Sequence, residues 1–462
     1  CCCCCCCCVL LLSSLLLLFV VVVVIVVAVV VVVVKCCCCC CCCYSCCLVI
    51  AVRVDAIAEL PLLQTGLLKK DVNALRRAYV LLGQLAHSWM NNHKVCWEKL
   101  YNDHSYDNTT TSTNTNTNTK TNTNPKPDNA SDTNATTNAT VDTSNDNSAH
   151  VAVFPVQLAR PWFEVCQHLG LPTVITASAT DLWNYTKIDP DGRIEPRNLK
   201  LVSSCTSTES ETHFHTIPCT MNAVFGENGL PLKIFNLPHH IEHSNIDQVV
   251  DTLRGIKIAV TEFKTIFKQA KELVNVDVFY NIYRPLLGGF FPRTACLTGA
   301  GVDGTDVIVD WKGPSAGQSP MIVMLDIVLG VSHSHGSVSR LFQDEMVTRY
   351  MTPSHGQLLR TLKLRINTTT STKQFATNQG GQVEILFNEC VTALHEFRRY
   401  HLAVATKYLK ATTTGTGNSS FRDMLKEFND DTAQLNTTTT ATATTATTTV
   451  TTATTTATTT TT

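Results

Sequence analysis

Histidines are the residues in this sequence best suited to metal or acid-base chemistry, and there are fifteen of them. His239 and His243 are spaced i and i+4, so a helix would present both imidazoles on one face, where they could bind a metal. No HExxH motif or paired cysteine accompanies them, and Leu237-Pro238 comes directly before. We therefore favour a polar start of a helix over a metal site. The densest histidine groups are His213-Phe-His215, His239-His240-Ile-Glu-His243 and His333-Ser-His335.

His401 stands apart because it falls on the apolar face of a periodic stretch. It comes one helical turn after Phe397 and one turn before Ala405. An inward histidine on a helical scaffold is either a hydrogen-bonded core residue or an axial ligand of haem. Periodicity alone favours the core residue.

Arg284 lies in an aromatic segment, residues 278–285, without acidic neighbours after Asp277. Its stem could simply pack on aromatic rings. Alternatively, its guanidinium could bind a carboxylate while a nearby aromatic stacks on a flat ring. The small-residue loop 313–319 lacks the Gly-Lys-Ser/Thr ending of a phosphate-binding loop, and it fits better beside a bulky, flat group. No nucleophile elbow, Cys/His dyad or carboxylate pair stands out.

The elements that must position these residues are mostly helices. Asp71 is placed as the N-cap of the first, and Ser244 with Asp247 resembles a capping box for the second. Strand-like alternation is confined to 170–177 and 306–310. The sequence therefore predicts a mainly α fold with a small N-terminal mixed domain and a large all-helical domain. The predicted helices are 71–92, 244–273, 320–331 and 383–410.

Low-complexity sequence sets the domain limits. The Asn/Thr-rich segment 107–149 is predicted to be a disordered insert within a small domain over 48–205. The large helical domain is predicted over 206–432, and a disordered Thr-rich tail over 433–462. Lysine and arginine total 36 against 37 acidic residues, so no basic excess suggests nucleic acid. Six dispersed cysteines outside the N-terminal segment favour a reducing compartment.

Residues 1–47 hold 18 of the 24 cysteines and an uncharged stretch of 26 residues, Val9 to Val34. That length is enough for a transmembrane helix over 9–34. The homopolymeric composition equally suggests a repeat expansion or a mistaken gene start. If the stretch is an anchor, Lys35 favours a cytosolic position for the rest of the chain. We expect a cytoplasmic protein, with attachment to a membrane as an open alternative.

The sequence contains six motifs in a fixed order, at residues 279–284, 315–319, 325–330, 350–355, 397–402 and 415–417. Together these motifs give the sequence a resemblance to the indoleamine 2,3-dioxygenase family. The similarity extends back through Leu75 to Trp89 and Val153 to Asp191, so it covers nearly all of the foldable sequence.

The resemblance implies haem b held in the helical domain, with His401 as the proximal iron ligand. The implied reaction opens the indole ring of L-tryptophan with O2 and yields N-formylkynurenine. Positions matching the family's substrate site are Arg284 for the substrate carboxylate, Phe279 for the indole, Thr416 in a closing loop, and Ser315 with Ala316. Positions matching the haem environment are Arg398, Asp326 and Phe214.

Three departures from the family pattern concern the substrate pocket. Pro314 replaces a glycine and stiffens the loop beside the haem. Thr176 stands where an aromatic residue often lines the distal pocket, and Pro218 falls near a usual Ser or Thr. A non-catalytic haem protein that binds or senses O2 is therefore the alternative function. A membrane or wall protein built on the low-complexity segments would leave the ordered motifs unexplained.

Overall fold

The computed structural model describes residues 61–66, 68–104, 152–290, 294–333, 337–409 and 422–435, with backbone alone over 91–104. The predicted anchor at 9–34, the insert at 107–149 and Thr416 lie outside these ranges. Among the helices that are described, none combines the length and apolar character needed to cross a bilayer.

The described chain is mainly helical, which confirms the predicted fold class. Short helical turns at Ala270–Leu273 and Val276–Val278 link the helix Ile246–Lys268 to a π-helical turn, Phe279–Tyr283. The longer helices are α1 (Val72–His104), α2 (Val156–Leu169), α3 (Glu209–Gly226), α4 (Leu230–Glu242), α5 (Ile246–Lys268), α6 (Pro320–Leu329), α7 (Val338–Glu345), α8 (Pro353–Thr368), α9 (Thr372–Gln379), α10 (Gly381–Leu409) and a final helix over residues 422–435.

Helix starts follow local side-chain chemistry in one predicted case and not in the other. The Asp71 carboxylate accepts the backbone N–H groups of Asn73 and Ala74 at 2.8 and 3.3 Å, so its assignment as N-cap is confirmed. The predicted capping box at Ser244 is wrong. Ser244 has a φ of 55° in the tight turn after α4, and α5 begins after Asn245, whose side chain makes no capping bond.

The strands are short and form two small sheets. In the first, β1 (Ala152–Phe154) pairs in parallel with β4 (Ala295–Leu297), and β4 pairs antiparallel with β5 (Val307–Val309). In the second, β2 (Tyr185–Lys187) and β3 (Leu199–Leu201) are antiparallel. The predicted strand at 306–310 is confirmed.

The predicted strand at 170–177 is wrong. Gly170 ends α2 with a left-handed φ of 63°, and the chain runs irregularly into a π-helical turn, Ser178–Leu182. Most side chains between these points are buried, Val174 and Ile175 among them. Their apolar pattern therefore reflects burial of an irregular segment rather than membership of a sheet.

Two hydrophobic cores organise these elements. The larger is built around α5 and α10 and contains Phe263, Leu394 and Phe397. The smaller joins α1 and α2 to the β1-β4-β5 sheet. This smaller core also takes Phe290, Val309 and Phe342 from beyond residue 205, so it is not continuous in sequence.

Candidate functional site

A cavity of about 340 Å³ lies between α3, α5, α10, the turn Phe279–Tyr283, the loop around residue 315 and the helix over 422–435. It brings together most of the residues that the sequence assigned to the substrate and cofactor sites. Those lining it are Phe214, Phe279, Ser315, Ala316, Arg398 and His401.

His401 faces the cavity from α10, between two aromatic rings. The Phe397 ring lies nearly parallel to the imidazole, with centroids 6.2 Å apart, and the Phe267 centroid is 5.2 Å away. Burial, with a smaller contribution from Arg398, lowers the pKa of His401 to about 4. The ring is therefore neutral near pH 7 and has a lone pair for a metal. It makes no hydrogen bond to a described residue, which argues against the core-residue reading.

Arg398 lies one turn before His401, and a buried carboxylate fixes its position. Its Nη2 donates to Asp326 Oδ1 at 2.6 Å, and its Nη1 donates to Thr432 Oγ1 at 2.5 Å. Gln343 Nε2 donates to the other carboxylate oxygen at 3.0 Å. Arg398 lines the cavity and Asp326 does not. Asp326 therefore acts on the site through Arg398.

The helix over 422–435 closes one side of the cavity, and sequence reasoning missed it. Phe428 lies on the cavity, and Asp431 Oδ2 is 2.7 Å from His333 Nδ1. Burial disfavours protonation of His333, but the Asp326 carboxylate 3.7 Å from its Nε2 and the hydrogen bond to Asp431 outweigh burial and raise its pKa. The predicted tail boundary at 433 falls inside this helix, which continues to residue 435.

The small-residue loop is held rigidly against its surroundings. Ser315 Oγ accepts the Gly317 N–H at 3.3 Å at the start of the turn Ala316–Gln318. A Cβ on Gly317 would lie 2.2 Å from the Phe342 ring, so only glycine fits there. Buried Gln318 donates to the Gly313 carbonyl at 3.0 Å. The loop therefore forms a closely packed wall of the cavity, and a bulky, flat group beside it remains a prediction from its composition.

Two aromatic rings form a flat surface in the cavity. Phe214 and Phe279 stack with centroids 4.7 Å apart and an interplanar angle of 29°. Tyr408 meets Phe279 edge to face at 5.9 Å. A flat apolar ring can pack against this surface.

Arg284 is not among the cavity-lining residues. It is half-buried, and its guanidinium carbon lies 5.7 Å from the Tyr280 ring centroid. Burial lowers its pKa, and Tyr280 opposes that shift. Arg284 therefore does not line the cavity with Phe279, Ser315 and Ala316, although Phe279 lies in the adjoining turn.

The three departures from the family pattern have different outcomes. Pro218 and Pro314 line the cavity, as expected. Thr176 does not, and the expectation for it is wrong. Its Oγ1 is 3.0 Å from Tyr79 Oη and accepts the Ser178 N–H at 3.3 Å, so the side chain points into the smaller core. The turn Ser178–Leu182 changes which positions face the cavity.

That turn presents two polar residues to the cavity, Thr180 and Asp181, neither of which the sequence singled out. Asp181 Oδ1 lies 3.3 Å from Nδ1 of His215, which also faces the cavity. His215 Nε2 is hydrogen-bonded to Tyr283 Oη. The sequence analysis had drawn attention to this region through the histidine group His213-Phe-His215.

The histidine cluster near residue 240 occupies the end of a helix. His239 lies in the last turn of α4 and His243 directly follows it, so the predicted position at a helix start is wrong. Pro238 lies inside α4, where it does not begin a new helix. Side-chain ligand atoms of His239, Glu242 and His243 lie within 4.8 Å of one another. All three are exposed, and none lines the cavity.

The cavity residues fit a haem. The neutral imidazole of His401 suits an iron ligand, and the aromatic walls suit an apolar macrocycle. Ser319, which lines the cavity, has a buried hydroxyl with no hydrogen-bond partner among the described residues. An unsatisfied buried hydroxyl and the Arg398 guanidinium, both lining the cavity, suit the carboxylates at a haem edge.

Comparison with known proteins gives a consistent result. A family model described as "Indoleamine 2,3-dioxygenase" matches residues 135–461. Human indoleamine 2,3-dioxygenase 2 is 30% identical over 56% of this chain and 61% of its own, so the match covers under two thirds of that relative. A 6-hydroxytryptophan 2,3-dioxygenase from Fusarium equiseti is 29% identical over 57% of this chain and 64% of its own. A myoglobin from Haliotis madaka is 26% identical over 60% of this chain and 73% of its own.

Proposed function

Because the chain belongs to the indoleamine 2,3-dioxygenase family, we propose that it is a haem-dependent dioxygenase of tryptophan or a related indole. The proposed reaction adds both atoms of O2 across the C2–C3 bond of the indole, breaks that bond, and gives N-formylkynurenine from L-tryptophan. The observation that carries the proposal is the neutral imidazole of His401, which faces a cavity walled by stacked Phe214 and Phe279.

The residues in the cavity support a role in holding and orienting reactants. His401 would bind the iron, and the bound haem would supply the site for O2. Phe214 and Phe279 would hold the indole ring flat. The closely packed loop at Gly317 would keep water out of the part of the cavity wall that it forms. Arg398, fixed by Asp326, would meet the haem edge.

Binding of the amino-acid end of the substrate is proposed for Arg284. It lies five residues after Phe279, directly after the turn that carries this cavity residue. A guanidinium there would form a charge-assisted pair with the carboxylate once the substrate is bound. Thr416 is proposed to close over the same end.

The direct test uses the full chain loaded with haem and reduced without oxygen. Addition of O2 and L-tryptophan should give N-formylkynurenine, detected by mass spectrometry together with loss of tryptophan. A haem-loaded protein that forms a stable oxygenated species but no product from any indole would contradict the proposal.

A second candidate function is reversible O2 binding without turnover. The relative from Haliotis is named a myoglobin, so one protein similar to this chain is named for O2 binding. The cavity wall here also carries Pro218 and Asp181. Stable oxygenation without product would favour this candidate.

A further inference from the structure

The cavity wall is mostly apolar, but one corner of it is not. Thr180, Asp181 and His215 meet there, and all three line the cavity. The Asp181 side chain is 17% exposed and that of His215 is 1% exposed. A carboxylate so placed has little access to water.

Hydrogen bonding fixes the chemistry of this corner. The hydroxyl of buried Tyr283 is a phenol that can donate, and burial raises its pKa further. A carboxylate only accepts, so His215 Nδ1–H donates to Asp181, while Nε2 is hydrogen-bonded to the Tyr283 hydroxyl. Both imidazole nitrogens are then used within the protein. Asp181 Oδ2 is left without a hydrogen bond from the described residues, and the Thr180 hydroxyl is committed to the Thr176 carbonyl at 3.4 Å.

A flat ring that covers this corner would strip water from the second oxygen of Asp181. Leaving a buried polar group unpaired is unfavourable, and more so when the group is charged. A ring that brings its own donor to Asp181 avoids that cost. Sites built around such a polar group discriminate strongly against ligands that lack the matching hydroxyl.

We propose that Asp181, held by the His215–Tyr283 chain, selects indoles with a hydroxyl on the benzenoid ring. Hydroxylated tryptophans should therefore bind better than tryptophan itself. The proposal deepens the proposed function and rests on it, because it assumes that the cavity holds an indole. Asp181 is the contact residue, whereas His215 and Tyr283 are positioning residues.

The test measures binding and turnover separately on the full, haem-loaded chain. Equilibrium dialysis gives the dissociation constants of L-tryptophan, 5-hydroxy- and 6-hydroxy-L-tryptophan. We expect at least one hydroxylated ligand to bind about tenfold or more tightly than tryptophan, as a charge-assisted hydrogen bond allows. Asp181→Asn, which keeps the shape but removes the charge, should reduce that preference to about threefold or less. Tyr283→Phe should reduce it less.

Asp251→Asn is the matched control, because Asp251 is an exposed residue of α5 paired with Lys233 at 2.8 Å. It should leave the binding preference unchanged. A wild-type protein that binds tryptophan as well as both hydroxylated ligands would overturn the inference, as would an unchanged preference in Asp181→Asn. Clear preference in binding with no product from any ligand would instead refute the proposed dioxygenase function alone.

1-Methyl-L-tryptophan and its ring-hydroxylated analogue separate the ring hydroxyl from the indole N–H, which is also a donor. If the hydroxyl contacts Asp181, methylation of N1 should leave the hydroxyl preference intact. Loss of the preference on methylation would assign Asp181 to the indole nitrogen and overturn the proposal.

Discussion

Removing the Asp326 carboxylate should destabilise the protein much more than removing an exposed acidic residue. Asp326 and Arg398 are 2.6 Å apart, with side chains 2% and 7% exposed. Replacing Asp326 with Ala leaves the guanidinium buried without its counter-charge and also leaves Gln343 Nε2 without its acceptor. Breaking a buried pair in this way typically costs about 3 to 5 kcal/mol.

Glu389→Ala is the matched control on α10, the helix that carries Arg398. Glu389 pairs with Lys257 at 2.8 Å, but both side chains are about 40% exposed. Exposed pairs contribute roughly 0.2 to 1 kcal/mol, so this variant should be close to wild type. Differential scanning calorimetry should show a melting temperature about 6 to 20 °C lower for Asp326→Ala and only a few degrees lower for Glu389→Ala.

The combined variant Asp326→Leu with Arg398→Met distinguishes a broken ion pair from a general packing defect. Apolar side chains of similar size remove the unpaired charge, and such replacements are often neutral or stabilising. We therefore expect the double variant to regain most of the lost melting temperature. The reasoning is refuted if Asp326→Ala melts within about 2 °C of Glu389→Ala, or if the double variant is no more stable than Asp326→Ala.

Three further predictions concern the cofactor and the substrate. His401→Ala should lose most haem, read from the Soret band, whereas His239→Ala and His243→Ala should not, because neither of those residues lines the cavity. Since the pKa of His401 is about 4, haem retention should be constant from pH 7.5 to about 5.5. Retention should fall only near pH 4, where protonation of the ring competes with iron binding. Circular dichroism is the control for unfolding. Arg284→Ala should lower kcat/KM for L-tryptophan by roughly one to two powers of ten but leave kcat/KM for tryptamine nearly unchanged. Arg284→Lys should be nearly as impaired, because lysine lacks the planar guanidinium. An equal loss on both substrates would make Arg284 a structural residue.

The elements that were predictable from sequence are those whose periodicity arises from one continuous core face. Helix α10 was predicted within two residues of its bounds because its apolar stripe packs along α5. The strand predicted over 170–177 is wrong because this segment lies on no such face. It is buried without regular structure, and burial alone produces an apolar pattern. Residues in β1 and β4 lie more than 140 positions apart, so their pairing had no local signal.

The site was predictable where an ordered motif carried it and not where tertiary contacts created it. His401, Phe279 and Ser315 fall in such motifs and reach one cavity. Asp181 reaches it only because the π-helical turn Ser178–Leu182 rotates the chain, which single-sequence periodicity does not reveal. The helix over 422–435 was not predicted, because it directly precedes the Thr-rich segment and was not distinguished from it.

The helix over 422–435 also bears on when the cavity forms during synthesis. The cavity takes side chains from Thr180 to Phe428, a separation of about 250 residues. At about 5 to 20 residues per second, a ribosome needs roughly 12 to 50 seconds to cover that distance. His401, the proposed iron ligand, and the wall that contains Phe428 are made at the end of this interval. A nascent chain therefore contains Phe214 and Phe279 well before it contains every wall of the cavity, so the cavity can close only after Phe428 has been made.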